Sequence, residues 1–317
     1  MQHYDRILEE RFPIRKSAEQ KQAFLDYLTA ELKAQGYAPR LEINGVGKSR
    51  NLVVGNPEKS AVVLCAHYDT PARKWLGNLL VPTNIPVYLG YQALNMLVLL
   101  LLSLVLYLIA WQLIGKMAVW VFLISYLAML LWQVLGTPNR HNRNQSSGLA
   151  VMMEIMACLP EKARARVSFV FFDRGEEFTM GAKAYAKEHL QVQYTRLLLQ
   201  LDAVGNGREL LLIPRKAARK CTGYQRIVRA LEDVDGMHFQ LGGTGMNICP
   251  GDYRNFQCGM ILLSCIRNPV IGLCIPYLHS PKDTVTDGEQ LEKLTAVLTQ
   301  ALAVFGGSAQ NHVDEKL

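Results

Sequence analysis

The sequence predicts an α/β protein with a mostly parallel central sheet flanked by helices on both faces, interrupted by two inserted transmembrane helices. Three observations predict it. Short apolar runs alternate with amphipathic helical patterns, the order that builds parallel sheets covered on both sides. From Trp75 to Asn139 the only ionisable head, tyrosine hydroxyls aside, is Lys116. Polar clusters containing His, Asp and Glu follow the apolar runs, where an open α/β sheet forms its ligand crevice.

The first helical pattern covers residues 17–35. Ser17 with Gln20 three residues on makes a capping box, Phe24, Leu25, Leu28 and Leu32 recur at helical spacing, and Gly36 ends the run. Buried strands are expected at AVVLCA (61–66), VSFVFF (167–172), LLLQL (197–201) and VIGLCI (270–275), with helices at 147–158, 180–188, 223–232 and 288–305. There is no internal repeat.

Residues 88–115 and 117–136 are uncharged. Each segment is long enough to cross a hydrocarbon core of roughly 30 Å, with helices expected near 88–110 and 117–136. The turn lies at Gly115–Lys116 or begins earlier, near Trp111. Trp111, Trp120, Trp132, Tyr88 and Tyr91 sit where interfacial anchors are placed. Buried helices of a soluble protein would carry a polar face; a re-entrant hairpin would share the same apolarity. If both helices span, residues 1–74 and 137–317 form one soluble domain in two sequence pieces around an insert at 75–136. Arg73, Lys74, Arg140 and Arg143 at the flanks, against Lys116 at the turn, place that domain in the cytoplasm.

Other signals agree. The opening MQHYDRILEERF lacks the basic-then-apolar pattern of a secretory signal. Seven cysteines without a close pair read as free thiols in a reducing compartment. The net charge of +7 comes without an Arg/Lys stripe interleaved with aromatics, so nucleic-acid binding is not expected.

Four clusters carry chemistry: AHYDT (66–70), DRGEE (173–177), QLDAVG (200–205) and YLHSPKDT (277–284). At strand ends they would bring His67, Glu177, Asp202 and His279 together, two imidazoles and two carboxylates that suit zinc. Any one of these residues is commonplace at a strand end; the signal is their joint placement.

These motifs, in this order, resemble the zinc-dependent di-metal aminopeptidases and carboxypeptidases, whose relatives include glutaminyl cyclases and the protease-like domain of the transferrin receptor. The resemblance covers residues 17–73 and 139–305, and GTGMNICPGDYRNF (243–256) resembles the family's substrate-side segment. It implies that His67 and Asp202 hold one zinc, and Glu177 and His279 another. Asp69 would orient the His67 ring, and Glu176 would be the general base that takes a proton from the attacking water. Asp252, Tyr253 and Tyr277 are candidate substrate-side residues.

One position departs from the family pattern. The aspartate that would bridge two metals, four residues before the glycine of the serine–glycine turn, is Asn144 here. A neutral amide compensates two zinc ions less well, so one or two Zn2+ ions are compatible with the sequence, with His141, Asn142 and Gln145 as nearby polar candidates for an altered site. The expected function is a membrane-anchored zinc exopeptidase, an aminopeptidase acting on peptides, with the lipid bilayer as its other partner; the sequence leaves the oligomeric state open. The alternative is a catalytically weakened or inactive membrane scaffold that keeps the fold, and a transporter part is disfavoured by only two helices without an internal charge. Because the hairpin leaves the loop after His67, it would set the crevice beside the bilayer and favour membrane-proximal or apolar peptides.

Overall fold

The computed structural model describes residues 3–74, 77–243, 247 and 249–306. Trp75 and Leu76 at the start of the expected insert, residues 244–246 and 248 of the expected substrate-side segment, and the polar end from Gly307 lie outside the described residues.

The chain opens with helices α1 (His3–Glu10) and α2 (Ala18–Ala34) and strands β1 (Arg40–Asn44), β2 (Ser49–Val54), β3 (Val62–His67) and β4 (Asn78–Leu80). The apolar helices α3 (Ile85–Ile114) and α4 (Ala118–Leu135) follow. After them come α5 (Arg143–Cys158), α6 (Glu161–Arg164), β5 (Val167–Phe172), α7 (Met180–Glu188), α8 (Leu190–Thr195), β6 (Leu197–Leu201) and β7 (Glu209–Pro214). The remainder is α9 (Tyr224–Glu232), β8 (His238–Leu241), β9 (Gly259–Asn268), β10 (Gly272–Leu278) and α10 (Gly288–Ala303).

Ten strands form one sheet in the order β1-β2-β5-β3-β6-β9-β10-β4, with β7 paired to β9 and β8 to β7. The sheet is mixed, which corrects the expectation of a mostly parallel one. The centre is parallel, β5 with β3, β3 with β6 and β6 with β9. Antiparallel pairs extend it on both sides: β1 with β2, β2 with β5, β7 with β9, β9 with β10 and β10 with β4. The central strands are buried throughout or nearly so, which is why they stand out as apolar runs, whereas β1 and β8 show mostly exposed or half-buried residues. The core divides between the two faces. Phe24, Leu28, Met152, Leu199 and Leu294 belong to one cluster, and Val63, Val170, Tyr185, Leu198 and Phe256 to the other.

Strands from both sides of the apolar helices share this sheet, and β4 pairs with β10 before the chain enters α3. Asn84 caps α3 by accepting the Val87 amide at 3.3 Å. Gly115–Met117 make a tight turn, and α4 returns against α3. The base is closed by a bridge between Ala72 and Pro138, by the Arg73 amide on the Thr137 carbonyl at 2.8 Å and by the Asn139 amide on the Pro71 carbonyl at 3.0 Å. By length and apolarity Ile85–Leu135 counts as one candidate membrane-crossing stretch, and only 17% of its most apolar part is buried. A surface this apolar is unfavourable in water.

Helix α5 sets the geometry at the end of β6. A Cβ on Gly148 would fall on the Leu201 carbonyl and 2.8 Å from the Asp202 amide, so α5 approaches β6 as closely as only glycine permits. The α5 N-terminus is held from a distant loop: Asp283 accepts the Asn144 amide at 2.9 Å and the Gln145 amide at 3.2 Å, a favourable place for a carboxylate. Gly148→Ala is expected to lower stability by about 2–3 kcal/mol through overpacking against backbone, read as a lower denaturation midpoint. Gly90→Ala, in open space, is the control and leaves the midpoint close to wild type.

Candidate active site

The candidate site lies at the carboxyl ends of β3, β5 and β6. His67 is the last residue of β3. Its Nδ1 is 3.3 Å from the Asp69 carboxylate and 3.1 Å from the Asp69 carbonyl oxygen. In the neutral ring, an Nδ1–H donated there leaves Nε2 with the lone pair. The Asp69 oxygens also accept the Gly175 amide at 2.7 Å and the Glu176 amide at 3.0 Å. One buried carboxylate thus ties the loop after β3 to the loop after β5. Gly175 is required by proximity, since a Cβ there would lie 2.5 Å from the His67 Cβ and Cγ. The same loop is anchored from below by Asp173, which takes Lys21 Nζ at 2.7 Å and the Arg50 amide at 3.0 Å.

Glu176 stands between the two histidines. Its Oε1 is 3.3 Å from His279 Nε2 and 4.0 Å from His67 Nε2, and accepts Gln145 Nε2 at 2.9 Å. Burial alone would raise this carboxyl, but His279, His67 and Lys74 hold it down at about 2. Burial pushes His67 the other way, downward, yet Asp69, Asp202 and Glu176 raise it well above the usual imidazole value. Asp202 follows β6 and is pushed up to about 6, chiefly by burial. Asp252 is buried with both carboxylate oxygens unpartnered among the described residues. Burial first, then the neighbouring carboxylates, push it up to about 7.

His67, Lys74, Gln145, Glu176, Asp202, Asp252 and His279 line one cavity of about 390 Å³, with Asp69 behind His67. The surrounding backbone is held in an uncommon conformation. Of the seven described non-glycine residues with positive φ, six lie in the site loops: Arg174, Phe178, Thr179, Ala203, Tyr277 and His279. Such strain collects where structure is set by function rather than by local preference.

Glu177, the expected partner of His279, faces outward, with its Oε2 held by Arg174 Nε at 2.8 Å and Nη2 at 2.7 Å. Asn144 is buried behind the cavity, its Oδ1 accepting the Gly205 amide at 3.0 Å and its Nδ2 unpartnered among the described residues. Tyr253 is buried, its hydroxyl donating to the Cys249 carbonyl at 3.2 Å. Tyr277 is on the surface under Lys282. Neither tyrosine lines the cavity, whereas Asp252 does. Lys74 is a site residue that the motifs do not mark; its sequence signal is a cation next to Arg73, seven positions after His67, in the loop that leaves the same strand. Gln145, foreseen only as a nearby polar residue, contacts both Glu176 and His67 Nε2, the latter at 3.3 Å.

The donor chemistry fits zinc: two imidazoles with Nε2 toward the cavity, flanked by Glu176 and Asp202, and an unpartnered Asp252 that calls for a cation. As the side chains stand, no group of three or more His, Cys, Asp or Glu among the described residues is spaced to close on one ion.

The fold and this arrangement place the chain in a known class of protein. The profile of Peptidase family M28 matches residues 144–303, just over half of the chain. The chain belongs to that family, a zinc-exopeptidase family that the related solved structures also represent.

The fold is shared with a Zn-dependent exopeptidase from Parabacteroides distasonis (16% identity, 92% of this chain and 93% of that one, TM-score 0.55). It is shared too with glutaminyl cyclase from Porphyromonas gingivalis (13%, 94% and 96%, TM-score 0.58) and LapA aminopeptidase from Legionella pneumophila (11%, 97% and 71%, TM-score 0.55). At these identities the likeness concerns the fold alone. No curated protein sequence matches the chain.

Asp69→Asn puts an amide where Oδ1 now takes the Gly175 amide beside the His67 ring and Oδ2 takes the Glu176 amide. Zinc affinity is expected to fall about 10–100-fold, measured by competition with a calibrated chelator; an unchanged affinity would detach Asp69 from the site.

Proposed function

We propose that the protein is a membrane-anchored zinc aminopeptidase that works with one zinc. The observation that carries this reading is the convergence of His67, Glu176, Asp202 and His279 on one cavity, with Asp69 bonded behind His67. His67, Asp202 and His279 would hold the ion, a three-ligand set that leaves a position open. When bound there, zinc supplies an acidified water and polarisation of the scissile carbonyl. Glu176 accepts the proton of the attacking water and passes it to the departing amine. Gln145 holds the Glu176 carboxylate in place. Asp69 fixes the His67 tautomer, and the acidic end with Asp252 attracts a free N-terminal amine.

Two features favour one metal over two. Asn144 is committed to the Gly205 amide, and Glu177 reaches the cavity only by releasing Arg174. The same features support the second reading, a scaffold that keeps the fold without the chemistry.

Helices α3 and α4 are proposed to cross the bilayer as a hairpin, with the catalytic domain in two sequence pieces on one side. Lys74 lines the cavity, and Arg143 is paired with Asp5 at 2.8 Å and Glu9 at 3.3 Å. The charge bias that makes this side cytoplasmic then rests on Arg73 and Arg140 against Lys116.

In zinc-replete detergent solution the full chain is expected to release the N-terminal residue of an unblocked peptide and to leave its N-acetylated form intact. Glu176→Gln is expected to lower kcat by about 10²–10⁴-fold while keeping bound zinc. Equal cleavage of blocked and unblocked peptides would contradict the aminopeptidase assignment, and cleavage of neither would favour the scaffold.

A further inference from the structure

The cavity that holds the titratable cluster has a second wall, and it belongs to the apolar helices. Tyr88, Gln92 and Met96 of α3, and Leu130, Gln133 and Val134 of α4, line it together with His67, Glu176 and His279. The α3 residues recur every four positions and so lie along one face of that helix. Leu130, Gln133 and Val134 likewise share one face of α4. Met96 is eleven residues beyond the first residue of α3, about 16 Å along the helix at the standard rise. The wall therefore climbs from the base of the hairpin well up its length.

This placement is fixed by contacts at the base. Tyr88 packs against the core cluster on one face of the sheet, Asn84 Nδ2 donates to the Ile271 carbonyl at 3.2 Å, and Lys16 Nζ donates to the Val134 carbonyl at 2.6 Å. Beside the wall, a second and almost wholly apolar cavity of about 380 Å³ opens between α3 and α4, and Gln133 belongs to both cavities. The two cavities thus meet at Gln133, between the cluster and the hairpin.

We infer that the hairpin is part of the substrate site as well as an anchor: its wall selects peptides whose N-terminal residues are apolar and are presented from the bilayer side. This inference rests on the aminopeptidase reading for the cleavage step, but not for the binding preference. The acidic end takes the amine, and the side chains of the first residues lie against Tyr88, Met96, Leu130 and Val134. A hydrophilic N-terminal segment would have to bury its charges against a wall whose polar groups, on Tyr88, Gln92 and Gln133, are all neutral, which is costly.

The test uses the full chain in nanodiscs and C-terminally labelled peptides that begin with Leu-Leu or Glu-Glu, read by fluorescence anisotropy and separately by hydrolysis. Wild type is expected to bind the Leu-Leu peptide at least about tenfold more tightly. Met96→Gln and Leu130→Gln are each expected to remove most of that preference, and the volume-conserving Leu130→Met to keep it, which separates loss of the wall from loss of the fold. Equal binding of the two peptides by wild type, or a preference unchanged in both glutamine variants, overturns the inference. A preference for Leu-Leu that the glutamine variants abolish, without hydrolysis of either peptide, upholds the wall and refutes the peptidase reading.

Discussion

The candidate site depends on the carboxylate of Asp69. It stands beside the His67 ring and accepts the amides of Gly175 and Glu176, so one side chain sets both the direction of an imidazole and the position of the acid opposite it. The arrangement works only because the two loops nearly touch, with no room for a Cβ at Gly175. Removing one acceptor would leave a buried amide unpaired and release the His67 ring together. Asp283 does the same for α5 from another loop, so the site is held by carboxylates that bond to backbone across long sequence distances. A carboxylate that accepts backbone amides is a rigid support because both partners are already fixed by the fold.

The rest of the molecule organises around that cluster. The parallel centre of the sheet delivers His67, Asp202 and the Glu176 loop to one edge, and His279 arrives on a backbone with φ of 59°. The apolar helices close the cavity from the far side. A site walled in this way has an environment that is charged at one end and apolar at the other. Low dielectric on one side strengthens the electrostatic interactions on the other, and the shape of the apolar end restricts what can enter.

The fully buried strands β3, β5 and β6 were legible because they are apolar on both faces, and the capping box at Ser17 and Gln20 was legible because its spacing is local. The antiparallel margins were harder to read. β1 is largely solvated, β4 is three residues long, and β9 mixes Ser264 and Cys265 into a run without clean alternation. Strand direction is not written in an apolar run, so the alternation of runs and helices predicts a mostly parallel sheet where the sheet is mixed. Within the site, His67, Asp69, Glu176, Asp202, Asp252 and His279 were named from motifs and meet in space. Glu177 turns away because Arg174, three residues earlier and in a left-handed conformation, captures it; adjacency in sequence gave no hint of this. The inward reach of Lys74, and the hairpin residues along the cavity, depend on long-range docking that no local pattern records.

Whether this cluster takes a single zinc is read from bound zinc per chain. The full-length protein, purified gently from zinc-replete cells, would be compared with His279→Ala and Asn144→Asp. A single-zinc site gives close to one zinc in the native chain, a large loss in His279→Ala, and no loss in Asn144→Asp. A native chain that carries none, or that keeps its zinc undiminished in His279→Ala, would contradict it.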